Sequence, residues 1–251
     1  MITADRPPSM LGRGVAILGA FTPDRGTLGV SQLARRTGLP KSTVHRLAAE
    51  LIREGLLETV DGGFRLGMRL FELGHLVPRQ RGLRELAAPL MGELREISQQ
   101  TVHLAVLDGS EVLYLEILPG RTGPKLPSRV GGRMPAHATA VGKAMLAADR
   151  RAFDTVAATG LRRLTARTII APGLLHSELQ RTAERGVAFD REESSVGLVC
   201  VASPVLDAAG APVAALSVSG QSGRMPVERL VPALRGAAAT LGKRLRDPYP
   251  S

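Results

Sequence analysis

A chain of 251 residues, 44% hydrophobic and 22% charged, is long enough for two domains and has the composition of an ordinary water-soluble protein with a sizeable core. No run approaches the ~18 apolar residues of a membrane span, and the opening MITADRPPSM has acid and proline where a secretion signal needs an apolar run, so a cytoplasmic protein is expected. One cysteine excludes an internal disulfide and any multi-cysteine zinc motif, while a net charge of +10 points weakly to a polyanion, since an arginine-rich chain without tryptophan also fits a GC-rich genome.

Ser9 is placed to cap a first helix running through residues 12–21, with Met10, Leu11, Val15, Leu18 and Phe21 available for packing. A turn follows over residues 22–26. Residues 28–57, LGVSQLARRTGLPKSTVHRLAAELIREGLL, then spell two short amphipathic helices around a tight turn, with Ser31 as the expected N-cap of the first and Gly38 as its stop. Pro40 fits the first turn of the second helix, where Val44, Leu47, Ala48 and Leu51 repeat on one face. The opposite face carries Lys41, Ser42, Thr43, His45 and Arg46, cations and short hydroxyls of the kind that read a DNA major groove. Between Arg25 and Glu54, six cations oppose Glu50 and Glu54, a net of +4. A helical hairpin in a plain bundle would also show a polar face. Against it, residues 57–59 and 64–66 read as strands around Asp61-Gly62, which turns the pair into a winged helix-turn-helix with Arg65 on the wing, placed to reach a phosphate or minor groove.

Residues 68–77 read as a helix, residues 78–82 as a break, and residues 83–100 as a linker helix with Leu86, Leu90, Leu94 and Ile97 at helical spacing. This divides the chain into domains 1–78 and 79–251. Strands are expected at 102–107 and 112–118, a loop at 121–133, helices at 139–146, 152–158 and 173–185 (buried stripe Leu175, Leu179 and Ala183), strands at 187–190, 198–202 and 213–219, and a closing helix at 227–245. Two hairpins, turning at residues 108–110 and 207–210, favour antiparallel pairing over a doubly wound sheet. The fold class is therefore α+β.

Ser217 and Ser219 share one face of a strand that looks covered on both sides, and Leu198, Cys200 and Ala202 share one face of the strand before it. Hydroxyls beside a thiol on a covered face suit a cavity that takes a carboxylate or carbonyl oxygen. A catalytic reading, with Cys200 as nucleophile and His137 and Asp190 completing a triad, is disfavoured by the apolar setting VGLVCVA. His45, His75, His103, His137 and His176 show no metal-ligand spacing, so neither a metal nor a cofactor is expected, and His103 reads as an ordinary sheet residue. A stand-alone ligand sensor would leave Lys41, Thr43 and Arg46 without a purpose.

The segments LARRTGLPKSTVHRLAAELIREGLLE with FRLGMRLFELG, TVHLAVLDGSEVLYLE, RVGGRMPAHATAVGKAMLA and RGVAFDREESSVGLVCVASPVLDAAGAPVAALSVSG resemble, in this order, the IclR family of bacterial transcriptional regulators. The resemblance implies a winged helix-turn-helix joined to an effector-binding domain with a largely antiparallel, GAF-like sheet. It implies an operator in double-stranded DNA, a small organic or aromatic acid as effector, and pairing into homodimers or dimers of dimers, the first helix helping to pair subunits. DNA-facing residues are then expected at Ser31, Arg36, Lys41, Ser42, Thr43, His45, Arg46 and Arg65. The positions matching the family's effector pocket are Ala140, Val141, Asp190, Leu198, Cys200, Ser217 and Ser219, with Ala140 and Val141 at a helix N-terminus that favours an anion.

Overall fold

The computed structural model describes residues 9–22, 25–121 and 126–246, with backbone alone at residues 78–81. The expected turn at 22–26 and loop at 121–133 fall partly outside the described residues, and residues 1–8 wholly so. The chain divides into two compact units, Met1–Pro78 and Arg79–Ser251.

The first unit runs α1 (Met10–Gly19), α2 (Val30–Thr37), α3 (Lys41–Arg53), β1 (Leu57–Val60), β2 (Gly63–Leu66) and α4 (Arg69–His75). Ile17, Leu28, Leu33, Val44 and Ala48 are fully buried at its centre, and Phe21, Leu47 and Leu57 close the core around them. Ser9 caps α1 by accepting the Gly12 amide at 3.1 Å. Because α1 turns Gly14 and Ile17 inward, the expected packing residues Met10, Leu11 and Val15 lie outside, 47%, 78% and 59% exposed. Ser31 does not cap α2. The cap is Gly29, whose own amide is accepted by the Gln32 side chain at 2.8 Å, and Ser31 is an exposed residue of the first turn. Gly38 ends α2 at φ 70°, and Pro40 stands one residue earlier than expected, as the N-cap of α3. The β1 and β2 hairpin pairs Val60 with Gly63 around Asp61-Gly62, and Leu28 adds a third rung by exchanging two backbone bonds of 3.0 Å with Phe64. A side chain at Gly63 would put its Cβ 2.5 Å from the Leu28 carbonyl, so only glycine lets the wing lie this close.

The second unit runs α5 (Pro78–Ser98), β3 (Thr101–Asp108), β4 (Glu111–Leu118), β5 (Arg133–Pro135), a 3-10 turn (Ala136–Ala138), α6 (Ala140–Ala148), α7 (Arg150–Ala158), α8 (Pro172–Arg185), β6 (Ala188–Arg191), β7 (Leu198–Leu206), β8 (Pro212–Gln221) and α9 (Val227–Arg246). Its six strands pair antiparallel throughout in the order β5-β4-β3-β8-β7-β6. Period-two alternation gives the sheet two apolar faces. Val102, Leu104, Val201, Leu216 and Val218 pack with α5 and α9 on one side, while Ala105, Cys200, Ala202 and Ala215 pack with α6, α7 and α8 on the other. The result is a three-layer sandwich.

Four expectations change here. Residues 78–82 open α5 instead of breaking the chain. The buried stripe of α5 is Leu83, Ala87, Leu90, Met91 and Leu94, and its next inward position falls on Ser98, which leaves Ile97 65% exposed. By the same spacing Thr182, not Ala183, follows Leu175 and Leu179 inside α8. Residue 133 begins the short edge strand β5 rather than ending a loop.

A DNA-reading helix and a buried polar cavity

The α2-α3 corner is shaped by local bonds. Thr37 donates its hydroxyl to the Leu33 carbonyl at 2.7 Å and accepts the Leu39 amide at 3.4 Å, so α3 starts three residues after the left-handed Gly38. Val44, Leu47 and Ala48 anchor α3 inward. Lys41, Ser42, His45 and Arg46 stand exposed on the other side and Thr43 is half-buried. No side chain caps the α3 amides, whose first backbone bond is made by Val44 to the Pro40 carbonyl at 3.0 Å. That end of a helix attracts phosphate.

Three of the expected DNA-facing arginines have partners within the unit. Arg36 donates to the Ala20 carbonyl and so ties the end of α1 to α2. Arg46 lies 3.5 Å from Glu50 and donates to the Met10 sulfur at 3.4 Å. Arg65 donates to Glu58 across the wing at 2.7 Å, and this bond, with one from the Met68 amide, holds the Glu58 carboxyl below its ordinary pKa. All three side chains remain at the surface, where such pairs exchange easily for a phosphate.

In the second unit, Ala140, Val141, Asp190, Leu198, Cys200, Ser217 and Ser219 line one narrow cavity of about 20 Å³, so an effector must push its walls apart to enter. Each arrives for a structural reason. Ser217 and Ser219 lie on central β8, Leu198 and Cys200 on neighbouring β7, and the pairings Cys200 with Ser219 and Asp190 with Cys200 set their rows side by side. Ala140 and Val141 begin α6 directly after Thr139, which caps the helix by accepting the Gly142 amide at 3.2 Å. A Cβ at Gly142 would lie 2.1 Å from the Ala136 carbonyl, so glycine is what lets the 3-10 turn press against the first turn of α6.

The cavity also has walls that the sequence did not disclose: His103, Tyr114, Ser128, Met134, Thr139 and Ser194. His103 had a readable signal, since it alternates with Val102 and Leu104 and pairs in register with Ser217. Ser128 and Ser194, on connecting segments, had none. Polarity is concentrated around Asp190, which is 1% exposed, accepts the Glu193 amide at 2.7 Å and the Ser194 amide at 3.3 Å, and takes the Ser194 hydroxyl on its second oxygen. Burial pushes the Asp190 carboxyl above its ordinary pKa, partly offset by the Ser194 hydroxyl and the Lys143 ammonium. Lys143, wholly buried, donates to Glu193 at 2.5 Å, and burial raises the Glu193 carboxyl as well. The second oxygen of Glu193 is buried without a partner.

These surroundings do not assemble the Cys200, His137 and Asp190 triad. Burial drives the Cys200 thiol well above its ordinary pKa, which keeps it protonated, and His137 lies outside the cavity lining with its Nε2 donating to the Arg162 carbonyl at 3.0 Å. Among the described residues no group of acidic, histidine or cysteine side chains is arranged to hold a metal, and no helix is long and apolar enough to cross a membrane.

Comparison with known proteins matches the two units to two family models. The IclR helix-turn-helix domain covers residues 10–61, and the bacterial transcriptional regulator IclR C-terminal domain covers residues 75–243. The chain belongs to the IclR family. The acetate operon repressor of Salmonella typhimurium is 33% identical over 226 residues, which is 88% of this chain and 82% of that protein. The transcriptional regulator XynR of Escherichia coli is 36% identical over 217 residues, 85% of this chain and 86% of that one. An IclR homologue from Microbacterium hydrocarbonoxydans, solved in complex with 4-hydroxybenzoate, superposes with a TM-score of 0.86 at 33% identity, covering 94% of this chain and 99% of that one. This IclR-family chain is thus a DNA-binding transcriptional regulator under small-molecule control, and its winged helix-turn-helix and α+β architecture are those of its structural relatives.

Proposed function

We propose that the unit 1–78 reads an operator through α3 and the wing while the unit 79–251 binds a small organic acid in the cavity under α6. The supporting observation is the composition of that cavity. Ser217, Ser219, Ser128 and Tyr114 supply hydroxyls, Ala140 and Val141 supply the two amides that a helix N-terminus leaves without an internal acceptor, and Leu126, Pro127, Met134 and Leu198 supply apolar wall. Such a set accepts the oxygens of a carboxylate. Asp190, an acceptor, faces any hydroxyl the acid carries. The 4-hydroxybenzoate held by the Microbacterium relative has both groups and makes it a natural first probe.

On the DNA side, Ser42, Thr43, His45 and Arg46 face base edges or adjacent phosphates, and Ser31, Arg36, Lys41 and Arg65 hold the backbone. The protein works as a homodimer or a dimer of dimers in the cytoplasm. The apolar residues Met10, Leu11 and Val15 on α1 and Phe71, Leu73 and Leu76 on or beside α4, exposed in the single chain, are the surfaces a second copy would cover. A thermal-shift screen of small carboxylates tests the reading, since stabilisation grows with ligand concentration over Kd. A bound acid that also changes affinity for the DNA upstream of the protein's own gene is the expected result. Binding that survives Ser217→Ala with Ser219→Ala unchanged would place the effector elsewhere.

A further inference from the structure

His103 is 2% exposed on β3, opposite Ser217. Its Nδ1 lies 3.4 Å from the hydroxyl oxygens of both Ser217 and Ser219, and its Nε2 lies 2.9 Å from that of Ser128. Ser128 belongs to residues 126–132, a strap that lines the cavity with Leu126, Pro127 and Ser128 and is fastened beyond it by two backbone bonds between Tyr114 and Gly131 and Gly132. The ring therefore stands between the sheet that floors the cavity and the strap that covers it.

Burial keeps this imidazole neutral at ordinary pH, its pKa lowered to about 4. A neutral ring has one N–H and one lone pair, so its two sides cannot both donate or both accept. With the proton on Nε2, the ring donates to Ser128 and accepts a hydrogen bond from a hydroxyl of the serine pair. With the proton on Nδ1, the ring donates to the serine oxygens, Ser128 donates to the ring, and both serine protons are left for a ligand. A carboxylate at the pair needs those protons and so selects the second tautomer. The 3.4 Å separations are long for hydrogen bonds and make the serines easy to turn, whereas the bond to Ser128 is short and persists in either tautomer.

We propose that His103 is a further effector-binding residue, one that turns the Ser217 and Ser219 hydroxyls toward a bound carboxylate and, through Ser128, holds the 126–132 strap over it. The ligand half of this rests on the acid-effector reading above; the strap half does not. Hydrogen exchange of residues 126–133 in the full-length protein without ligand therefore comes first. Ser128→Ala and His103→Asn should each exchange about tenfold faster than wild type, the scale of one lost hydrogen bond, and unchanged exchange in both would overturn the strap. The second measurement records imidazole nitrogen spectra, the His103 signals assigned by their loss in His103→Asn, during titration with 4-hydroxybenzoate, benzoate and 4-hydroxybenzamide. The two acids should move the proton to Nδ1 and bind His103→Asn about tenfold more weakly, while the amide should not discriminate between the proteins. An acid that stabilises wild type but leaves the tautomer and the variant's affinity unchanged would refute the role. If neither acid stabilises wild type, the acid-effector reading fails, and the exchange result still decides the strap.

Discussion

Lys41 and Arg46 stand on the same helix face and should behave differently as alanine. If Arg46 leaves Glu50 and Met10 to reach a base edge, Arg46→Ala costs ~1–3 kcal/mol on the operator and little on unrelated DNA. Lys41→Ala should weaken both alike and reduce the salt slope by about 1, as loss of one phosphate contact does. Fluorescence anisotropy with the two duplexes at three salt concentrations separates these outcomes. Inside the second unit, His103 contributes to acid sensitivity. Its pKa of about 4 when folded lies below the ordinary 6.5, so the unfolded chain binds more protons between these values and stability falls as pH drops through that window. Wild type should lose about 2 kcal/mol more than His103→Asn between pH 7 and pH 5 in urea unfolding. The raised carboxyls of Asp190 and Glu193 act in the opposite sense, gaining protons on folding, but they are present in both proteins and cancel in the comparison. Lys143→Met strands Glu193 in the interior and should cost ~3–5 kcal/mol at neutral pH, less in acid where Glu193 takes up a proton. Adding Glu193→Leu should recover much of the loss.

Glycines decide how closely the elements approach. Gly142→Ala would drive a methyl into the Ala136 carbonyl, so the 3-10 turn and the first turn of α6 must separate, moving Ala140 and Val141. Loss of small-acid binding together with a lower unfolding temperature of the second unit is expected from calorimetry, whereas Gly92→Ala, in open space on α5, should raise helix stability slightly. The same geometry shows what could be read in advance. Helical and period-two spacing located α3, β7 and β8 because most of one face of each is buried, and it set Leu198 with Cys200 and Ser217 with Ser219 on shared faces, whereas Ala140, Val141 and Asp190 were marked only by the resemblance to the IclR family. Ser31 and Ile97 were misassigned because capping and stripe phase depend on where a helix begins, to a single residue. The 2.5 Å link between Lys143 and Glu193 joins positions fifty residues apart, and no local pattern announces such a pair.

At the scale of the whole molecule, the proposed pairing of two copies through the exposed apolar residues of α1 can be tested directly. Leu11→Glu with Val15→Glu changes no buried side chain, so the fold should survive while self-association weakens. Sedimentation should show a larger monomer fraction, and operator affinity should fall because two half-sites are no longer engaged at once. A final consequence concerns sulfur. The whole chain holds one thiol, and it is the protonated Cys200 deep among the cavity walls. Maleimides and nitroxide reagents should therefore react with the natural protein far more slowly than with a surface thiol, and a cysteine introduced on each DNA-reading unit would be the preferred target for labelling. The distance between two such tags in the self-associated protein, followed by electron spin resonance as acid is titrated in, would give the spacing of the two reading heads directly.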